Sequence, residues 1–379
     1  MKIHLYLKDF RPKETIIGGM EKAVTGLAGG IAACGGKAVI LCESDADYTI
    51  EAPAGYLIRS FRKDDNAKPW SVAMSLRRYM EKELNSDSTV VLHSVFHPGV
   101  AGMARLLRAK HIPYVVAPHC PYHSSLFLKN AHRKWPYWYL VERPMLRGAA
   151  AVQVLDRRQG VLLRELGVKT SVIEVINGYR ESDVIPESDI SFRKHGTARL
   201  LFLGRIESIQ KGLDLLLEAF DIVAEVADAE LTIQGPDRGD LAALKAQASK
   251  SMHKQRIRFM PPDFGTSPVK TVAGYDVFVI TSRFEGFSLA AMEAMIAARP
   301  LVISDNAGLA PHVRAAGCGE VVEANVASIR DGILSVLKRK DEWGQMGMAG
   351  RRYALERFQW KRIAGEAMEE YAKIKGGFL

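Results

Sequence analysis

Cysteine is scarce in this chain: 379 residues hold four, Cys34, Cys42, Cys120 and Cys318. None forms a C-x-x-C pair, which argues against a thiolate zinc centre, and the density argues against a disulfide framework. All four read as small buried hydrophobes. Long apolar runs are also missing. No stretch reaches the ~18 residues that a membrane-spanning helix requires. The N-terminus, MKIHLYLKDF, lacks the apolar core and small-residue cleavage site of a signal peptide, so a cytoplasmic location is expected. No low-complexity tract or short solenoid repeat occurs. The glycines after the first strand do not make the G-x-G-x-x-G of a dinucleotide-binding dehydrogenase. An aromatic-basic RNA motif and a helix-turn-helix signal are absent as well, so nucleic acid is not an expected partner.

What is present fits a soluble globular protein of two domains. The chain is too long for one ordinary core, with 47% hydrophobic and 25% charged residues. Its net charge of +9 is unevenly spread: residues 1–180 carry 26 Lys and Arg against 16 Asp and Glu, and the remainder is nearly balanced at 26 against 27. A positive first half attracts phosphates, acidic glycans or anionic lipid.

Short, β-branched apolar runs alternate with longer helical patterns. Strands are expected at Lys2–Leu7, Lys37–Glu43, Gly55–Phe61, Thr89–Val95, Pro113–His119 and Ala149–Leu155, with a seventh at Ser171–Ile176. The runs are mostly continuous, as in a parallel sheet covered on both faces. The polar stretch Asn177–Ala198, with two Gly, one Pro and many charges, reads as an exposed linker. The pattern then restarts at Arg199–Arg205, Ala229–Gly235, Arg256–Pro261, Val277–Ser282, Pro300–Asp305 and Gly319–Glu323. Leu213, Leu216, Leu217, Phe220 and Val223 mark one face of a helix starting near Lys211. The expectation is therefore an α/β chain of two doubly wound, Rossmann-like domains facing a cleft. Residues 1–178 form the first domain, 179–198 the linker and 199–355 the second domain. A final helix, 356–379, packs back on the first through Trp360, Ile363, Ala364, Ala367 and Tyr371.

Ligands of open parallel sheets sit at the carboxyl ends of strands. After the first strand, Ile17-Gly18-Gly19-Met20 leads into a helix and allows close backbone approach to a phosphate, or else is only a tight turn. His119 ends its strand facing the cleft, with His93 and His97 near the preceding strand end; a lone histidine is more often bonded to a carbonyl than to a ligand. In the second domain Arg205 follows a strand and Lys211-Gly212 opens a helix, two cations able to clamp a diphosphate, although most Lys and Arg are simply solvated. The segment Ser282-Arg283-Phe284-Glu285-Gly286-Phe287-Ser288-Leu289-Ala290-Ala291-Met292-Glu293 is the most informative. A strand ends, a glycine loop carries Glu285, and a helix capped by Ser288 carries Glu293 among apolar neighbours. A carboxylate there needs hydrogen-bond donors, which a ribose diol supplies. The backbone N–H groups of Gly286, Phe287 and Ser288 can meet a phosphate.

These motifs resemble glycosyltransferase family 4, the retaining enzymes of the two-domain GT-B fold. The resemblance spans the chain and rests on Gly18-Gly19, Arg205…Lys211-Gly212, Ile176-Asn177-Gly178 and above all Glu285-x7-Glu293. Asp156-Arg157 and Tyr179-Arg180 depart from the family's usual residues. The resemblance implies a hexose moved from a nucleotide diphosphate sugar, UDP- or GDP-linked, to a glycan or lipid-linked acceptor, as in bacterial cell-envelope or exopolysaccharide synthesis. It implies that Gly18 and Gly19 approach the donor by backbone and that His119 touches the transferred sugar. Arg205 and Lys211 would hold the leaving diphosphate, Glu285 the sugar hydroxyls and Glu293 the ribose. No metal cofactor would be required, the two cations taking its electrostatic role.

Lys129, His132, Arg133, Lys134, Trp135, Tyr137, Trp138 and Tyr139 set bases beside aromatics, which suits a peripheral, salt-sensitive contact with an anionic membrane surface. Such rings pack into cores more often than they meet lipid. Other readings are a nucleotide-sugar epimerase or phosphorylase of the same fold, or a non-catalytic nucleotide-binding module.

Overall fold

The computed structural model describes residues 1–12, 18–85, 88–119, 122–127, 130–193 and 195–376. Ile17, Cys120 and Lys129, singled out above, lie outside the described residues. The chain divides into two compact units, Met1–Gly178 together with Trp360–Leu379, and Tyr179–Gln359.

The first unit is built on β1 (Lys2–Tyr6), β2 (Lys37–Ser44), β3 (Tyr48–Glu51), β4 (Leu57–Arg62), β5 (Thr89–His93), β6 (Tyr114–Ala117), β7 (Ala151–Val154) and β8 (Val172–Glu174). They lie in the order β3-β4-β2-β1-β5-β6-β7-β8. Every pairing is parallel except β3 with β4. The run Val90, Val91 and Leu92 is buried throughout, because one face of the sheet meets the cluster around Leu76 and Met103 while the other meets Leu27 and Ile31. Covering both faces makes a strand read as an unbroken apolar run. The hairpin strand β3 was not expected. Its four residues alternate between half-buried and exposed at the sheet's edge, too weak a pattern to stand out.

The helix Trp360–Gly376 belongs to this unit and packs on the helix Gly19–Ala33. All five of its expected apolar residues are buried in the same cluster. Close approach of the two helices depends on glycine. A Cβ at Gly30 would lie 2.4 Å from the Trp360 carbonyl oxygen, and one at Gly26 would lie 2.2 Å from the Trp360 indole nitrogen. Gly30→Ala gains about 1 kcal/mol of helix propensity. It nonetheless meets backbone that cannot rotate away, so a net loss of about 2 kcal/mol is expected in urea unfolding. An unchanged or raised midpoint would show that the helices separate without cost.

The second unit carries β9 (Ala198–Leu203), β10 (Ala229–Gln234), β11 (Ile257–Met260), β12 (Val277–Ile280), β13 (Leu301–Ser304) and β14 (Gly319–Val322). This sheet is wholly parallel, in the order β11-β10-β9-β12-β13-β14. Leu213, Leu216, Leu217, Phe220 and Val223 are all buried on the helix Leu213–Val226.

Two boundaries differ from expectation. Residues 179–198 are part of the second unit, not a free linker. Tyr179 donates from its N–H to the Phe358 carbonyl at 2.8 Å and from its hydroxyl to Leu355 at 2.7 Å. Two buried arginines hold the rest of the segment: Arg351 donates to the Ile185 carbonyl at 2.5 Å and Arg299 to the Ser191 carbonyl at 2.7 Å. Burial pushes both guanidinium pKa values down. The last helix begins at Trp360 and not at 356, because the preceding helix Trp343–Arg357 runs on and breaks at Phe358. Among the described residues, no helix is long and apolar enough to cross a membrane.

Candidate functional site

In the second sheet the chain runs outward from β9 to β10 and β11, then returns to place β12 on the other side of β9. At such a reversal open α/β sheets take their ligands, on the loops after the flanking strands, here β9 and β12. Arg205 follows β9, and the segment 281–288 follows β12.

The two loops are fastened together through Lys211. Its ammonium is ion-paired with the carboxylate of Glu285, which also accepts from the Ser282 hydroxyl at 3.2 Å. The pair is largely enclosed, the lysine and glutamate side chains being 9% and 12% exposed. The Thr281 hydroxyl donates to the Lys211 or Gly212 carbonyl, each 3.2 Å away, and the Arg283 N–H donates to the Gln210 carbonyl at 2.8 Å. The Arg283 guanidinium reaches Ser208 and grips Asp214 with two bonds of 2.8 and 2.7 Å. Burial alone would raise the Asp214 pKa, but the paired bonds and charge of Arg283 outweigh it and hold it low. This bracket fixes where the Lys211 charge sits, and its members Asp214, Thr281 and Arg283 were not picked out from the sequence. An arginine beside Glu285 and an acid in the first turn of the helix were the available signals.

The helix expected near Lys211 is there, with Gly212 as its N-cap, and Lys211 lies just before it. The lysine ends a single turn, Ser208–Lys211, and Gly212 then takes a left-handed conformation with φ of 62° before the helix starts at Leu213. A side chain at Gly212 would also strike the Thr281 carbonyl at 2.3 Å. Only glycine satisfies both demands.

Arg205 is exposed and donates to the Gln210 side chain at 2.9 Å, so it is held beside the Lys211 turn. Ser288 caps the helix Leu289–Ile296, its hydroxyl accepting from the Ala291 N–H at 3.2 Å. Gly286 and Phe287 are buried, and the Phe287 ring packs against Phe358 and His312, so its contribution to a ligand would come from backbone. Glu293 lies on the same helix, partly exposed beside buried Met292 and Met295. Arg205, Lys211, Glu285 and Glu293 are thus all carried by the loops after β9 and β12 or the elements those loops lead into. Among the described residues, no group of three or more His, Cys, Asp or Glu is placed to hold a metal ion.

In the first unit the reversal falls between β1 and β5. Gly18 and Gly19 are exposed at the start of the helix Gly19–Ala33. Gly18 has an extended backbone that any residue adopts; what its bare Cα leaves is room for the Glu21 carboxylate, which lies 2.4 Å from where a Cβ would be. His119 follows β6 and stacks on His93, with 2.7 Å between His93 Nδ1 and His119 Nε2. Burial lowers the His119 pKa to about 4, although part of the residue meets solvent. His97 secures the local backbone. Its Nδ1 accepts from the Gly99 N–H at 3.1 Å, capping the helix Pro98–Ala109, and its Nε2 meets Asp9 at 2.8 Å.

The aromatic–basic segment divides. Trp138 is buried in the core, whereas Trp135, Tyr139 (55% exposed) and Leu140 (75% exposed) face solvent with His132 and Arg133. Of the cysteines, Cys42 and Cys318 are buried as expected, and Cys34 is exposed, its thiol donating to the Lys361 carbonyl.

Comparison with known proteins matches residues 197–339 to the family "Glycosyl transferases group 1" and residues 18–178 to "Glycosyl transferase 4-like domain". The chain is 27% identical over 308 residues to phosphatidyl-myo-inositol mannosyltransferase of Mycobacterium leprae, covering 80% of this chain and 78% of that one. It is 26% identical to alpha-maltose-1-phosphate synthase of Mycolicibacterium smegmatis, over 76% of this chain and 80% of the relative. Among solved structures, sucrose-phosphate synthase of Thermosynechococcus elongatus superposes with a TM-score of 0.77 at 18% identity, covering 99% of both chains. An Anabaena protein in complex with UDP and glucose superposes with a TM-score of 0.72 at 15% identity, covering 98% of this chain and all of that one.

Proposed function

Because this chain belongs to the group 1 glycosyltransferases of family 4, retaining enzymes of the GT-B fold that draw on nucleotide sugars, we propose that it moves a hexose from a UDP- or GDP-sugar to a glycan or lipid-linked acceptor. The observation that carries this reading is the Lys211–Glu285 pair, set at the strand reversal with Arg205 and Glu293 on the adjoining elements. A bound diphosphate would draw the Lys211 ammonium and the Arg205 guanidinium, freeing Glu285 to accept from sugar hydroxyls. Glu293 would accept from the ribose diol. The bond between the anomeric carbon and the diphosphate breaks as the acceptor hydroxyl attacks on the same face. The departing diphosphate oxygen takes that hydroxyl's proton, and the two cations stabilise the charge that develops there. In this reading no metal ion takes part, and turnover in excess EDTA equals turnover without it.

The excess of Lys and Arg in residues 1–180 favours an anionic acceptor. Exposed Trp135, Tyr139 and Leu140 beside basic residues support a peripheral cytoplasmic contact with anionic lipid. Binding to anionic vesicles would then weaken as salt rises.

A thermal-shift screen of UDP-, GDP- and ADP-sugars tests the donor. Ligand at 100 times its Kd stabilises by about 2.7 kcal/mol. Glu293→Ala is expected to lose most of that shift while keeping the unliganded midpoint. Equal shifts in both proteins would remove Glu293 from the nucleotide site, and no shift with any nucleotide sugar would overturn the donor assignment.

A further inference from the structure

His93 ends β5 wholly buried, and its Nδ1 lies 2.7 Å from His119 Nε2 with the rings stacked 5.0 Å apart. Its other nitrogen, Nε2, is buried with no partner among the described residues. His93 therefore spends its whole hydrogen-bonding capacity on His119. Burial pushes both rings well below their ordinary pKa, so both are neutral at pH 7 and a single proton lies between them.

That proton has two possible owners. If His119 Nε2–H donates, His93 must carry its own proton on Nε2, leaving a buried N–H with no acceptor. If His93 Nδ1–H donates, Nε2 of His93 is only a bare lone pair. Orphaned buried donors are rarer than under-satisfied acceptors. The second arrangement makes His119 Nε2 an acceptor, and a neutral imidazole accepting there carries its proton on Nδ1.

We infer that His93 is a positioning residue that sets the tautomer of His119, so that His119 offers an Nδ1–H donor and not a lone pair to its ligand. The assignment of that ligand as the transferred sugar rests on the function proposed above. A donor at this position binds a sugar hydroxyl or ring oxygen through its lone pairs. It cannot act as a general base, which fits a reaction in which the leaving diphosphate takes the proton.

The test is nitrogen-15 NMR of the full chain labelled at histidine, with His119 assigned from its loss in His119→Gln. In the native protein at pH 7.5, His119 should show a protonated Nδ1 and an unprotonated Nε2. In His93→Phe the proton should shift toward Nε2, and kcat for sugar transfer should fall on the order of tenfold, one hydrogen bond's share. The donor KM should change little. His93→Asn places an amide N–H where the imidazole Nδ1–H was, and should restore both the tautomer and most of the turnover. A proton on Nε2 in the native protein, or a tautomer indifferent to His93→Phe, would overturn the inference. A tautomer that behaves as described in a protein transferring no sugar would leave the histidine pair standing and refute the donor reading instead.

Discussion

Lys211→Met is expected to lower turnover by two to three orders of magnitude, the loss that accompanies removal of one preorganised charge or donor from a developing anion. The same substitution should also destabilise the fold. It strands the Glu285 carboxylate, which is 12% exposed and meets the lysine as its ion-pair partner. Breaking such a pair from one side costs about 3–5 kcal/mol when fully buried, and somewhat less here. The two effects can be separated. In Lys211→Met with Glu285→Gln no unpaired charge remains, so most of the stability should return. Turnover should stay well below that of Glu285→Gln alone, because the diphosphate still lacks its cation. Measured together, unfolding midpoints and kcat distinguish a catalytic lysine from a merely structural one. Recovery of turnover along with stability would place Lys211 outside the chemistry.

Mild acid should weaken the first unit well before carboxylates titrate. Burial lowers His4 to about 4, His119 to about 4 and His93 well below its usual value. In the unfolded chain all three protonate near pH 6.5. Below that pH the unfolded state binds more protons than the folded one, so stability falls as pH drops from about 6.5 toward 4. Each independent histidine contributes about 1.4 kcal/mol per pH unit in this window. His93 and His119 are both neutral in the fold and each takes a proton on unfolding, so the pair counts as two. Glu142 acts in the opposite sense: burial raises its pKa, so some of its cost at neutral pH is relieved in acid. A net loss of roughly 5 kcal/mol between pH 7 and pH 5 is expected. Trp70, Trp135, Trp138 and Trp360 all lie in this unit, so urea unfolding followed by fluorescence should report it. His4→Gln should flatten the slope by about a third. Equal midpoints at pH 7 and 5 would mean that the histidines titrate normally.

Much of the fold was legible because burial on both sides leaves little freedom in composition. Strands such as Thr89–His93 and Val277–Ile280 announce themselves as continuous apolar runs. The segment from Ser282 to Glu293 was legible for a different reason: a capping serine, glycine and two acids in order leave few local conformations. What stayed hidden is set by partners distant in sequence. Lys211 and Glu285 meet across 74 residues, and no local pattern places them together. The segment 179–198 looked unattached because its polar side chains do point outward in part; its anchors are backbone carbonyls taken by Arg299 and Arg351, which composition does not reveal. The left-handed turn at Gly212 likewise depends on the nearness of Thr281.

The return of residues 360–376 to the first unit has a bearing on how the chain is made. The helix Gly19–Ala33 leaves the ribosome well before Trp360, yet the surface it offers to that residue is covered only when residues 360–376 emerge. At 5–20 residues per second, synthesis of the intervening second unit takes roughly 10–40 s. Through that interval the apolar strip on the helix Gly19–Ala33 waits for its mate. A stop codon just before position 360 would therefore wound the first unit, far upstream of the break.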